Sequence, residues 1–346
     1  MQFRTNFAGG RSSQATAAIP ADLGGHDASR RRRGDTYAAL TAVGYGSAYV
    51  ATAFALRSFE PLAAAAWRGT LAALGLAAVL TAMRPARLGP ISRRPSAVTG
   101  GTAIRLTVLS LLGGPIFYLC MNLAVASVGP TISAFVAGLY AILAALLAPA
   151  LLGERLRPAA VAAFALALVG TAMLSNVELA RGRPEGVAWA LAAAISFALF
   201  LVMARRWSVA YALPGPTVAL GNAVATALVL GTVLVASAPA AVLPALVRWD
   251  SALALAWLAV VAAAGQVLAV LAVRLIPAER SSAFLLLNPL TAAVLAWLLL
   301  GAAPTPFQAA GCGLVLIAMA AVGGWLRPLS TPRIWPVGAG SPDAKP

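Results

Sequence analysis

The chain has 346 residues, of which 61% are hydrophobic and only 10% are charged, and its formal net charge is +15. A soluble domain usually carries about 25% charged residues, so the composition excludes an ordinary water-soluble enzyme. A large positive charge can mark a nucleic-acid-binding protein, but such a protein needs basic patches on a soluble fold. We therefore predict a membrane protein whose surroundings are the lipid bilayer, with no nucleic-acid partner.

Residues 1–35 form a polar segment rich in Gly, Ser and Ala that ends in four arginines, Arg30 to Arg33. The segment lacks the apolar run that a secretory signal needs ahead of its cleavage site. The arginines loosely resemble a twin-arginine export signal, but the many apolar runs that follow favour a cytoplasmic flank of the first helix. We predict that 1–35 is a disordered cytoplasmic tail.

The rest of the chain repeats one pattern, in which about 20 apolar residues are followed by a short polar break. A helix that crosses the hydrocarbon core needs roughly 20 such residues. The runs are continuously apolar and do not alternate as barrel strands do, so an all-α integral membrane protein with ten transmembrane helices is predicted. The ten spans are 36–56, 62–83, 106–127, 130–152, 159–176, 186–204, 217–236, 251–273, 281–300 and 307–326.

The distribution of basic residues predicts the orientation of these spans. If the N-terminus is cytoplasmic, 20 of the 25 Lys and Arg lie in the tails and inner loops, and four lie in the outer loops. The remaining one, Arg68, lies within a span. Because cytoplasmic loops of membrane proteins carry an excess of Lys and Arg, both termini are predicted to be cytoplasmic, in a plasma or inner membrane.

The second half of the sequence repeats the first. Shifting the chain by 148 positions aligns residues 123–153 with 271–301, with 12 identities in 31 positions and the same order of spans. Each half contains five spans, an odd number, so the second half enters the membrane from the opposite side. Secondary transporters commonly have such inverted repeats, with a substrate site near the midplane between them.

Two related stretches carry a family resemblance. The first runs from Ala124-Val125-Ala126-Ser127-Val128-Gly129-Pro130-Thr131 to Leu152-Gly153-Glu154-Arg155-Leu156, and the second runs from Ile276-Pro277-Ala278-Glu279-Arg280-Ser281-Ser282-Ala283 through Asn288-Pro289 to Leu299-Leu300-Gly301. Together with Pro61 to Arg68, they resemble the ten-helix EamA-like members of the drug/metabolite transporter superfamily. The second copy departs from the pattern at Ala302, where a glutamate like Glu154 is expected, and the first copy has Tyr140-Ala141 where the second has Asn288-Pro289.

The resemblance covers about residues 36–326. It implies an EamA-like five-helix repeat over 36–176 and another over 186–326, followed by a cytoplasmic tail over 327–346. It also implies export or exchange of small metabolites or drugs, without identifying the substrate. A homodimer is a further possibility.

The chemistry available inside the membrane is narrow. All ten Asp and Glu fall outside the ten spans, and His26 lies in the tail. Intramembrane hydrolysis needs paired carboxylates, a Ser–His arrangement or metal ligands, and no phosphate loop with a lysine is present. We therefore predict that the chain is not an enzyme and uses no cofactor or metal. Cys120 and Cys312 lie in spans and are expected to be buried thiols.

Arg68 is the one formal charge within a span. An arginine at that depth costs at least about 2.5 kcal/mol on insertion scales, so it should face the bundle interior or a water-filled cavity. It either anchors a substrate carboxylate or another anion, or it holds helices together or extends toward the interface.

Other polar residues within the spans are candidates for the same substrate site. Such sites place a few amides and hydroxyls in an apolar wall. The alternative for each is an interhelical hydrogen bond, worth about 0.6 kcal/mol, or an aromatic anchor at the interface. Tyr45 and Tyr49 share one helix face, as do Tyr118 and Asn122. The full set of candidates is Trp67, Tyr45, Tyr49, Tyr118, Asn122, Tyr140, Asn222, Gln266 and Asn288.

Proline positions and edge carboxylates complete the prediction. Pro115 and Pro289 each interrupt a span, although their positions do not correspond in the repeat, and Gly113-Gly114-Pro115 could be a packing kink. Proton-driven carriers commonly have an acidic residue in the membrane, and the spans have none. We therefore expect a facilitator or exchanger, or coupling through Glu60, Glu154 or Glu279 at the span edges.

The residues thus predict a secondary transporter that exports a small metabolite, amino acid or drug-like compound. The alternative is a lipid-handling, flippase-like carrier or a membrane-embedded transferase. The lack of catalytic groups in the spans favours the carrier, and so does the repeat.

Overall fold

A computed structural model describes residues 23–82, 100–152, 158–180, 183–211, 215–244, 246–276, 284 and 287–323. All regular structure in these residues is helical, which agrees with the predicted all-α class. The helices are α1 (Leu23–Ala55), α2 (Pro61–Ala82), α3 (Gly100–Leu111), a π-helical turn (Leu112–Ile116), α4 (Phe117–Ala137), α5 (Tyr140–Leu152), α6 (Pro158–Ala180), α7 (Pro184–Tyr211), α8 (Gly215–Ser237), a 3-10 turn (Pro239–Ala241), α9 (Trp249–Leu275), α10 (Leu287–Leu300) and α11 (Pro306–Gly323).

Apolar helices long enough to cross a membrane dominate this part of the chain. Every one of the ten predicted spans overlaps an apolar helix, while the count of ten remains a prediction. Six helical segments have sufficient length and hydropathy, namely Ser29–Ala55, Pro61–Thr81, Gly100–Ala137, Pro184–Ala204, Pro216–Ser237 and Trp249–Ala269. Three shorter apolar helices are Val161–Met173, Leu287–Leu300 and Pro306–Ala318.

The surface of these helices is apolar. Leu74 and Leu228 are each more than 60% exposed although they lie in the middle of apolar helices, and Leu298 near the end of α10 is exposed to the same degree. A soluble protein rarely exposes such continuous apolar area. In a bilayer the same side chains face lipid, so the exposed residues fit a membrane protein.

Two boundaries differ from the sequence prediction. Helix α1 begins at Leu23, so residues 23–35 are helical and not part of a disordered tail. Arginine has a high helix propensity, which allows the Arg30–Arg33 run to continue the first span as helix. The predicted fourth span is divided by a turn at Gly138 and Leu139, where the Leu139 amide donates to the Val136 carbonyl at 3.1 Å.

The predicted break between the third and fourth spans is present. Gly129 has φ 77° and ψ 171° within α4, a backbone conformation that favours glycine. Pro130 follows it and cannot donate the next helical hydrogen bond. The Gly129-Pro130 pair therefore turns the chain between the two spans.

Helices of each half pack against helices of the other half. Helix α1 packs on α9 and α10, and α7 packs in the same way on α4 and α5. Two further contacts join corresponding helices of the halves, α2 with α8 and α6 with α11. The contacts of one half are thus matched by those of the other, as expected when two similar units are related by an approximate twofold axis.

Small residues allow these helices to approach closely. Ala63, Ala64 and Ala65 are fully buried on α2, where they pack against a cluster that includes Leu230 of α8 and Leu258 of α9. A Cβ atom on Gly69 would lie 2.7 Å from the Thr226 side chain of α8. Close approach through small residues is the usual basis of helix packing in membranes, and here it joins α2 and α8.

Three arginines make long-range polar contacts at the ends of the helices. Each joins two segments that the sequence analysis assigns to the same side of the membrane. The contacts are Arg57 Nη1 to Asp250 Oδ2 at 2.8 Å, Arg183 Nη1 to the Ser127 carbonyl at 3.2 Å, and Arg206 Nη1 to the Leu151 carbonyl at 2.7 Å. Asp250 accepts a further hydrogen bond from the Arg248 side chain, which raises the pKa of the Arg248 guanidinium.

Candidate functional site

Arg68 lies in the second turn of α2 with its side chain inside the bundle. It is 3% exposed and is the one charged residue among the buried side chains of the described chain. Its guanidinium carbon lies 4.1 Å from the centre of the Tyr118 ring, in a cation–π contact. The Nε and Nη1 atoms have no hydrogen-bond partner. Arg68 therefore does not extend to the interface, and two of its donor nitrogens are unpaired.

Asn222 presents a second set of unpaired groups, from α8. It is also 3% exposed, and neither its amide oxygen nor its amide nitrogen has a partner. This holds whichever way the side-chain amide is assigned. The nearby Thr226 hydroxyl donates to the Asn222 backbone carbonyl at 2.7 Å. It therefore does not serve as a partner of the side-chain amide.

Arg68 and Asn222 line the same cavity. The volume of the cavity is about 10 Å³, which is room for roughly one water molecule. Tyr118 forms another part of the wall, and most of the remaining lining is small and apolar. These other lining residues are Gly69, Ala72, Leu76, Ala219, Ala223, Ala262 and Ala263. The cavity thus collects unpaired donors and one unpaired acceptor in an otherwise apolar wall.

The Gly113-Gly114-Pro115 segment shapes one side of this region. It forms the π-helical turn between α3 and α4, a feature that is frequent at functional sites. A Cβ on Gly113 would lie 2.8 Å from the Asn222 amide nitrogen, and one on Gly114 would lie 2.5 Å from its backbone oxygen. The two glycines therefore let the turn pack directly on Asn222.

A hydrogen bond from another helix stabilises the interrupted backbone. Pro115 has no N–H, so the turn lacks one helical hydrogen bond. The Ser196 hydroxyl on α7 donates to the Leu112 carbonyl at 2.8 Å. Sequence analysis identified the kink but not its contact with Asn222, because that contact depends on the packing of α8.

The structure brings three of the four predicted tyrosines, Tyr45, Tyr49 and Tyr118, near Arg68, whereas Tyr140 packs on the ring of Phe197. Tyr49 and Tyr140 are buried. Tyr45 of α1 and Tyr118 pack against one apolar cluster, and Tyr118 also packs against a second cluster that contains Tyr49. The helical spacing of Tyr45 and Tyr49 therefore places both on the face that looks toward the charge.

Tyr140 and Asn288 form a pair across the two halves. The side chains of Tyr140 and Asn288 lie next to each other, and the Asn288 Oδ1 atom has no hydrogen-bond partner. Positions 140 and 288 are separated by 148, the shift that aligns the two repeats. The pair therefore joins corresponding positions of the two aligned repeats.

Two candidates have structural partners away from the cavity. Asn122 donates from Nδ2 to the Pro61 carbonyl at 3.0 Å and so joins α4 to the start of α2. Trp67 donates from its indole nitrogen to the Val242 carbonyl at 2.8 Å. These contacts match the alternative that the sequence left open for polar residues in the spans.

The structure places the other predicted residues at the edges or leaves them undescribed. Glu60 is exposed just before α2. Glu154 and Glu279 lie outside the described residues, and so does the side chain of Gln266 in α9. Thr171 on α6 was not predicted, yet its hydroxyl is buried with no partner. A single threonine in an apolar span gives no signal that separates it from the many that bond their own helix.

The fold and the buried site define a class of protein. Long apolar helices with lipid-facing leucines surround a cavity that holds a buried charge, which is typical of a multi-pass membrane protein. The profile of the EamA-like transporter family matches residues 32–176 and again 184–324. The chain belongs to the EamA-like transporter family, and its two halves are two copies of the family's repeat.

Comparison with solved structures supports the fold. A structure described only as "Crystal structure of protein" matches with a TM-score of 0.59 and 22% sequence identity, and the match covers 85% of this chain and 99% of that chain. No curated protein gives a significant sequence match. The family assignment rests on the two matched segments.

Proposed function

We propose that the protein is a secondary transporter that exports a small metabolite, amino acid or drug-like compound by alternating access between two inverted five-helix repeats. The observation that carries this proposal is the buried guanidinium of Arg68, whose Nε and Nη1 atoms have no hydrogen-bond partner, in a cavity between the two family segments. Insertion of a charge costs at least about 2.5 kcal/mol, and a passing anionic group offsets that cost by pairing with it.

The cavity is built from both repeats. Arg68 and Tyr118 come from the first matched segment, and Asn222 and Ala262 come from the second. A volume near that of one water molecule is too small for a metabolite, so the two halves must separate to admit one. The location between the halves fits alternating access, in which one part rocks against the other around a central site.

The matched helix contacts support the inverted arrangement. The packing of each half against the other and the Tyr140–Asn288 pair both fit an axis in the membrane plane. The arginine contacts at the helix ends join segments that alternation places on one side, which supports the predicted order of the spans. For coupling, the absence of Asp and Glu from the predicted spans favours a facilitator or exchanger, or a role for Glu60, Glu154 or Glu279.

Growth of a sensitive bacterial host tests the function. The host expresses the full chain on plates that contain inhibitory amino acids, amino-acid analogues, short hydroxy acids or cationic dyes. We expect resistance to at least one compound, which is lost with Arg68→Ala and retained with the control Thr52→Val. The control removes a buried hydroxyl that bonds only its own helix, to the Ala48 carbonyl at 2.8 Å.

Expression and monodispersity of each variant separate transport from folding. If no compound gives resistance while labelled lipids are moved across vesicles that contain the protein, the carrier proposal is wrong. If resistance persists in well-folded Arg68→Ala, the assignment of the site is wrong.

A further inference from the structure

The cavity has a defined set of unpaired groups, and these specify a ligand. Arg68 offers N–H groups on Nε and Nη1, and Asn222 offers the two N–H groups of its amide together with the acceptor oxygen Oδ1. Both side chains are only 3% exposed, so water does not compensate them at the surface. A buried polar group without a partner is destabilising, and a molecule that pairs with all of them is therefore favoured.

The donors select an anion with a single negative charge. The guanidinium is the one buried charge in the described chain, and a carboxylate neutralises it while accepting hydrogen bonds from Arg68 and from the Asn222 amide. A phosphate dianion would leave one negative charge uncompensated in an apolar wall. One guanidinium and one amide thus match a monocarboxylate.

The free acceptor selects a substituent next to the carboxylate. Oδ1 of Asn222 needs a hydrogen-bond donor, which a plain fatty acid anion does not have. An ammonium group would place a second positive charge beside Arg68, and the face of the Tyr118 ring is already occupied by the guanidinium. All Asp and Glu lie outside the predicted spans, so a neutral hydroxyl fits better than an ammonium group.

The remaining wall limits the size of the ligand. Ala72, Ala219 and Ala223 provide methyl groups only, and Ala262 and Ala263 continue the same surface. These residues can contact a short aliphatic substituent. On the basis of the proposed transport function, we infer that Arg68 and Asn222 bind a small 2-hydroxycarboxylate in its monoanionic form when the two halves separate and widen the cavity between them.

Three compounds with one carbon skeleton test the inference. Lactate, propionate and alanine differ only in the group at the second carbon, which is a hydroxyl, a hydrogen or an ammonium group. Counterflow of labelled lactate is measured in proteoliposomes of the full chain at pH 7.5, with each unlabelled compound as competitor. We expect saturable counterflow, with lactate competing at least tenfold better than propionate or alanine.

Variants assign the selectivity to residues. With Asn222→Leu, lactate and propionate should compete equally, because no Oδ1 atom remains to accept a hydrogen bond from the lactate hydroxyl. With Thr226→Val the preference should remain, since the Thr226 hydroxyl bonds the Asn222 backbone carbonyl and is not among the cavity groups. If Asn222→Leu is not monodisperse, Asn222→Ser serves instead, and it should reduce the tenfold preference.

Each other outcome overturns the inference. Equal competition by propionate and lactate in the wild type means that no hydroxyl is recognised. Stronger competition by alanine means that an ammonium group is accepted. If lactate shows no counterflow while the host panel gives Arg68-dependent resistance to another compound, the substrate class is wrong but the transport function stands. If no compound shows Arg68-dependent transport in either assay, both are wrong.

Discussion

Trp67 and Arg68 are neighbours in the chain, yet their side chains have different surroundings. Successive residues of a helix point about 100° apart, so Arg68 enters the cavity while Trp67 reaches the Val242 carbonyl beyond α8. Arg68 could be predicted because it is the one formal charge in a span. The partner of Trp67 could not, because it lies 175 residues away and is a backbone atom, which no side-chain pattern reveals.

Asn122 is a second residue whose hydrogen-bond partner could not be predicted from the sequence. Its spacing from Tyr118 correctly places both on α4, but the sequence does not show that its amide donates to the Pro61 carbonyl. Tyr118 contacts the charge, whereas Asn122 connects the helix to the start of α2. Side chains on one helix face therefore need not share a function.

Substitution of Asn122 tests this structural role. We predict that Asn122→Leu lowers the free energy of unfolding by about 0.6 kcal/mol, and by at most about 2 kcal/mol, because one interhelical hydrogen bond is lost. Thermal unfolding of the purified protein in detergent measures the change, with Thr52→Val as the control. Unchanged stability together with altered substrate selectivity would instead place Asn122 in the substrate site.

At the scale of elements, the close contacts depend on glycines at particular positions. A Cβ on Gly46 of α1 would overlap the Asn288 backbone carbonyl and approach Thr291 of α10. A Cβ on Gly231 of α8 would have no neighbouring atom within 4 Å. The sequence shows 31 glycines without indicating which of them touch another helix, because that depends on helix rotation.

The two glycines form a matched pair for mutation. Gly46→Ala should destabilise the fold by about 1–3 kcal/mol, since backbone atoms must move to admit the methyl group. Gly231→Ala should be neutral or slightly stabilising, because alanine is the better helix former. Thermal midpoints of the two variants decide, and equal midpoints would contradict the packing of α1 on α10.

The π-helical turn is the second feature of this scale. Its breaking residues are visible in the sequence as Gly113-Gly114-Pro115, but the change of helix type is not. A π-helical turn holds one residue more than an α-helical turn. The extra residue rotates the helix that follows by about 100° about its axis. The position of Tyr118 opposite Arg68 therefore depends on the turn.

Pro115→Ala tests this dependence. The variant can regain a helical hydrogen bond, so we expect a thermal midpoint at or above that of the wild type. We also expect at least a tenfold loss of Arg68-dependent transport, because Tyr118 is displaced from the cavity. Pro239→Ala, in the 3-10 turn after α8, is the control and should keep transport. Normal transport by Pro115→Ala would show that the turn does not position the site.

At the scale of the whole molecule, hydropathy predicted the helical class because membrane insertion imposes a simple pattern on sequence, and the alignment of the chain with itself at a shift of 148 predicted the two repeats. The packing of helices from one half against helices of the other could not be predicted, since it depends on how apolar helix faces of similar composition fit together. The sequence repeat nevertheless relates two residues that meet in the structure, because Tyr140 and Asn288 are 148 positions apart.

The predicted orientation can be measured on the full chain. In a background of Cys120→Ala and Cys312→Ala, single cysteines are introduced at Ser237, at Ala303 and at Ser29, all of which are exposed. A membrane-impermeant maleimide added to intact cells should label Ser237→Cys and Ala303→Cys but not Ser29→Cys. Labelling of Ser29→Cys in sealed cells would contradict the cytoplasmic N-terminus.

The most direct test of the account is the transport rate of Arg68 variants in proteoliposomes, measured with the compound that gives the strongest resistance in the host panel. We predict that Arg68→Ala lowers counterflow about thirtyfold or more, which corresponds to about 2 kcal/mol for a lost charged hydrogen bond. Arg68→Lys should retain part of the rate, and Thr52→Val should retain all of it. Wild-type counterflow by both Arg68 variants would contradict a substrate site at this cavity.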